Sequence, residues 1–104
     1  MADDNRISRR VTVEYSINES GCPVVTTAHG ACLAADSVPP SEEIPLPQMI
    51  LEGNRAGLRT LAAWLVAMAD DESVADHQHF DNETNMGLFR SHPPCELIIQ
   101  RLEK

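Results

Sequence analysis

Imidazoles two positions apart can grip a metal ion where the chain is extended, and His77-Gln78-His79-Phe80-Asp81 has that spacing. Alternate residues of a strand project to one side, so His77 and His79 would converge. Asp81 lies two positions further on, about 13 Å of extended chain from His77, too far to complete the same site without a bend or bulge. A structural zinc site closes with four ligands and this stretch supplies two, so the three side chains read as a polar strand face. A small metal-binding protein or metal-dependent enzyme using His77 and His79 is the alternative reading.

The thiols carry less. Cys22, His29 and Cys32 follow a C-x6-H-x2-C spacing that matches no common zinc pattern, and Cys95 stands apart. A nucleophilic cysteine needs a base or a helix N-terminus beside it to lower the thiol pKa, and the sequence places none. Three cysteines without a CxxC pair argue against a disulfide framework or a zinc ribbon and for reduced, small apolar side chains. GxSxG, HExxH, Walker and GxGxxG patterns are absent. The stretch Gly53-Asn54-Arg55-Ala56-Gly57 is too poor in glycine to cradle a phosphate. Arg55 and Arg59 near a helix start leave an anion conceivable there, but the plainer reading is a capped helix with solvated arginines. No catalytic residue and no cofactor are assigned, and the chain is read as a non-enzyme.

Charge is more informative. Lys and Arg number 8 against 16 Asp and Glu, a formal charge of -8, so the positive field that draws proteins to phosphate backbones or anionic lipid is missing. Nucleic acid and membrane surfaces are unlikely ligands on that ground. Between Arg59 and Arg90 there is no Lys or Arg, while Asp70, Asp71, Glu72, Asp76, Asp81 and Glu83 all fall inside the interval. A solvated face is the plain reading; the sharper one is a docking surface for a basic protein partner, with Trp64 as an aromatic anchor. A lone Trp on a helix is nonetheless more often core.

The elements that would carry these residues follow from periodicity. Arg10 to Ile17 alternates, with Val11, Val13, Tyr15 and Ile17 on one side, and predicts a strand with one wet face. Asn18-Glu19-Ser20-Gly21 supplies a turn, and Val24 to Ala28 a second strand, giving a hairpin. His29-Gly30 offers another turn. Residues 31–35 fit either an edge strand or irregular structure, and 36–47, with Pro39, Pro40, Pro45 and Pro47, read as an exposed loop. A strand over 48–52 stops at Gly53, and Asn54 is placed to cap a helix from Arg55 to about Asp70. Leu58, Leu61, Ala62, Leu65, Met68 and Ala69 form its expected buried stripe, with Trp64 off centre. Strands over 76–81 and 95–102 follow, the second with Leu97 and Ile99 on one face and Ile98, Gln100 and Leu102 on the other, as in a central strand.

At 104 residues the chain predicts one domain, with 42% apolar and 23% charged residues typical of a folded protein. It divides into an N-terminal β-hairpin region over 9–35, a proline-rich loop over 36–47 and a strand-helix-strand-strand core over 48–103. The expected class is α+β, a mostly antiparallel sheet of five or six strands with one long helix packed on one face. The N-terminal residues lack a secretory apolar run and an organelle-type basic pattern, which predicts a cytoplasmic protein.

Taken together, Ile50-Leu51-Glu52-Gly53-Asn54-Arg55-Ala56-Gly57-Leu58 with the helix after it, His77-x-His79-x-Asp81 and Glu96-Leu97-Ile98-Ile99 resemble the immunity protein 32 family of bacterial polymorphic toxin systems. The similarity covers about residues 48 to 103. It implies a small, non-enzymatic α+β protein that neutralises a toxin delivered by a neighbouring cell. It carries no catalytic residue over to this chain, and gives His77, His79 and Asp81 no role. The expectation is an acidic immunity protein that occludes a cognate toxin, as a monomer or weak homodimer.

Overall fold

The computed structural model describes residues 5–70, 77–80, 88–89 and 96–102. Its elements run β1 (Ser16–Ile17), β2 (Pro23–Val24), β3 (Leu33–Val38), β4 (Gln48–Gly53), α1 (Arg55–Asp70), β5 (His77–Phe80) and β6 (Leu97–Gln100). The α+β class holds. The single expected sheet does not: among the described residues the strands form three antiparallel pairs, β1 with β2, β3 with β4 and β5 with β6. An isolated parallel bridge, Leu33 to Phe89, is the further strand contact on β3.

The N-terminal hairpin is shorter than its alternation suggests. Asn18 builds the turn, its Oδ1 accepting from the backbone N–H of Ser20 at 2.9 Å and of Cys22 at 3.0 Å. Gly21 takes a φ of 83° that other residues rarely adopt. The ladder then stops after Ser16 with Val24 and Ile17 with Pro23. Asn18 N–H donates to Cys22 O, so Pro23, one step further on opposite Ile17, stands where a backbone N–H would point away from β1, and its missing donor costs this ladder no bond. Residues 10–15 and 25–28 run outside regular strand, although Tyr15 and Val25 still pack at the core.

Of residues 31–35, left open, Leu33, Ala34 and Ala35 enter β3, which also takes Asp36, Ser37 and Val38 from the expected loop. Each pairs in register with β4, from Leu33 opposite Gly53 to Val38 opposite Gln48. Gly30, at φ 77°, turns the chain into this strand.

The helix has its predicted bounds and cap. Asn54 Oδ1 accepts from Gly57 N–H at 2.7 Å, satisfying a first-turn donor. Its buried stripe is displaced by one residue, about 100° of rotation, from the expected one: Gly57, Thr60, Leu61, Trp64, Ala67 and Met68 face inward. Leu58 and Leu65 remain 47% and 42% exposed. Small residues decide the matter, because Gly57 and Thr60 let the helix approach residues 28–32 closely. Ala28 N–H reaches Thr60 Oγ1 at 3.2 Å, and a Cβ on Gly57 would collide with the Cys32 carbonyl.

The core gathers Val25, Ala31, Leu33, Ala35, Leu61, Trp64, Ala67, Phe80, Leu88 and Phe89. Phe80, at the end of β5, packs edge-on against Trp64 at 5.8 Å between centroids and tilted against Phe89 at 6.2 Å. That is the geometry aromatic quadrupoles favour. β6 is covered on one side only: Leu97 and Ile99 pack at the core, but Ile98 is 48% and Leu102 97% exposed. Among the described residues the expected central strand is half of a two-stranded ribbon.

Candidate functional site

The β5–β6 ribbon presents a polar face. His77 pairs with Gln100 and His79 with Ile98, and paired residues share a side of the sheet. The two imidazoles lie on the same face, as the alternation predicts, with centroids 5.1 Å apart and planes at 69°. Glu96 Oε2 sits 3.2 Å from His79 Nδ1, with both side chains about half exposed (45% and 49%). Such a pair in water contributes at most about 1 kcal/mol, and only while the imidazole is protonated. Among the described residues no three His, Cys, Asp or Glu side chains are arranged to hold a metal ion. Cys22 and Cys32 are free thiols, half-buried, and Cys95 lies outside the described residues.

The helix N-terminus is engaged internally. Besides Gly57, Asn54 Oδ1 accepts from Cys32 N–H at 3.1 Å, while Asn54 Nδ2 donates to Gly30 O at 2.8 Å and Asn54 N–H to Cys32 O at 3.3 Å. One side chain thus ties the start of α1 to the loop ahead of β3. Arg55 and Arg59 are exposed beside it.

At the other end of α1 the expected docking residues divide. Asp70 closes the helix and is exposed, whereas Asp71, Glu72, Asp76, Asp81 and Glu83 lie outside the described residues. Trp64 is not a surface anchor. It is 6% exposed, at the centre of the buried stripe, and its Nε1 is buried without a hydrogen-bond partner among the described residues. The offset stripe assumed for the helix hid this. The helix end itself is neutralised from a distance: Arg101, just past β6, donates to Met68 O at 2.6 Å. A cation on the last carbonyls opposes the negative end of the helix dipole, which Asp70 reinforces.

Sequence reasoning placed β4 but missed that its apolar residues lie exposed. Met49, Ile50 and Leu51 of β4 are 69%, 42% and 41% exposed, continuing from Ile44 and Leu46 at 41% and 73%. The signal was legible as an uncharged run from Ile44 to Leu51 between Glu43 and Glu52.

Fold and surface define a small α+β domain whose acidic described residues all lie exposed. A match to the family described as immunity protein 32 covers residues 48–102, just over half of the chain, and the chain belongs to that family. The match takes in β4, α1, β5 and β6, and leaves out β1 to β3. Searches of curated proteins and of solved structures return no match. No helix among the described residues is long and apolar enough to cross a membrane.

Proposed function

We propose that this protein neutralises a cognate bacterial toxin by binding and occluding it, with no covalent chemistry of its own. The observation that carries the reading is the family match over residues 48–102. The charge balance supports it: a surface with an excess of carboxylates accelerates encounter with a basic partner and disfavours like-charged ones. The docking surface is the acidic tract Asp70, Asp71, Glu72, Asp76, Asp81 and Glu83, and the site of action is the cytoplasm, where a delivered toxin must be met. Trp64, being core, has no part in it.

Co-expression with toxin domains encoded beside its gene tests the proposal. Rescue of growth and a one-to-one complex whose association rate falls with salt are expected. No rescue and no co-purification with any such toxin overturns it. The same-face imidazoles of His77 and His79 favour a second reading, metal binding. Stoichiometric metal in untagged protein, lost in His77→Ala, would establish that reading instead.

A further inference from the structure

A single hydrogen bond fixes the parity of the β3–β4 ladder. Asn54 N–H donates to Cys32 O, and these residues continue the register in which Leu33 faces Gly53. In an antiparallel pair, residues that exchange backbone bonds alternate with residues that do not. Glu52, Ile50 and Gln48 are therefore bonded to β3, and the N–H and C=O of Met49 and Leu51 point to the other edge. Leu33 agrees with this parity, since its N–H donates away from β4, to Leu88 O at 2.6 Å. Among the described residues no strand pairs with that outer edge of β4.

We propose that the outer edge of β4 pairs with the β4 edge of a second copy of this chain, antiparallel about a two-fold axis at Ile50, which joins two ribbons into one four-stranded sheet. In that register Met49 of one copy faces Leu51 of the other, so outward-pointing groups meet outward-pointing groups on both sides. Gln48 faces Glu52, which keeps the two carboxylates apart. The occupant follows from charge. Each copy carries -8, and two such bodies repel least where neither is charged, along the run from Ile44 to Leu51. A basic partner would be drawn elsewhere, to the carboxylates. Pro47 shares the outward parity of Met49 and lacks an N–H, so the pairing ends there instead of spreading along the chain. A two-stranded ribbon is marginal alone, and extra strands stabilise it. The contact is short, so the dimer is weak and concentration-dependent.

Sedimentation velocity of the full chain over a wide concentration range tests this. The mass is expected to rise from 11.4 kDa towards twice that value, and the dimer to tighten as salt screens the repulsion. Met49→Lys adds a charge to the exposed strand, and Met49→Pro removes an outward N–H without touching the β3 ladder. Each is expected to weaken dimerisation at least about tenfold with the circular dichroism spectrum unchanged. If Met49→Pro perturbs folding, Met49→Lys decides. A chain that stays monomeric at every concentration, a dimer indifferent to Met49→Lys, or one that loosens with salt overturns the proposal. None of these outcomes bears on toxin rescue, so the two readings fail separately.

Discussion

Gly57→Ala is expected to lower stability, against the helix-propensity rule. Alanine in a helix interior is ordinarily better than glycine by about 1 kcal/mol. Here a Cβ would stand 2.8 Å from the Cys32 carbonyl carbon and 3.0 Å from Asn54 Oδ1, and closer still to Cys32 O. Two of these atoms are backbone, which cannot swing aside as a side-chain tip can. Overpacking of this kind costs about 1–3 kcal/mol. Moving the helix away also stretches the bonds Asn54 makes to Cys32, each contributing about 0.5–1.5 kcal/mol. After the propensity gain, a net loss of about 2 kcal/mol remains, which in a domain of this size lowers Tm by about 8–16 °C. Thermal and urea unfolding followed by far-ultraviolet circular dichroism measure it. An unchanged or raised Tm would show that α1 does not approach residues 30–32 as described, and would refute the account of why the helix turns its small residues inward.

Other substitutions probe the remaining joints. Asn54→Ala removes the cap and the side-chain links to Gly30 and Cys32, and a loss of about 2–3 kcal/mol is expected in urea unfolding. Asn54→Asp keeps the accepting oxygen and adds favourable charge at the helix start, so it should lose less than half as much. Phe80→Ala empties the centre of the aromatic cluster and should cost about 3–5 kcal/mol by the same measurement; a loss below about 1 kcal/mol would mean that β5 is not anchored to α1 through this ring. Arg101→Met preserves the aliphatic stem but frees Met68 O, with an expected loss of about 1–2 kcal/mol, read as a lower Tm.

Local chemistry made much of this chain legible in advance. Asn54 as the cap, the helix from Arg55 to Asp70, the turns at Asn18 and Gly30 and the shared face of His77 and His79 depend on neighbours within a few positions, where dihedral preference and side-chain reach decide the outcome. The resemblance over the second half pointed to the same family as the match over 48–102.

What the sequence left open depends on which surfaces meet. Two stripes one residue apart on α1 both satisfy helical periodicity and share Leu61 and Met68. The leucine-rich one reads as core, yet the stripe with Gly57, Thr60 and Ala67 is buried, because only small residues admit the 28–32 segment. Likewise the alternation over 10–17 described a faced strand, but a strand persists only while a second segment runs beside it in register, and that pairing stops at Ser16 with Val24. No Lys or Arg stands near the helix end in the sequence, and only the fold carries Arg101 to Met68. Periodicity is a property of one segment, whereas burial, ladder length and charge pairing belong to two segments at once, and those pairings were settled only by tertiary packing.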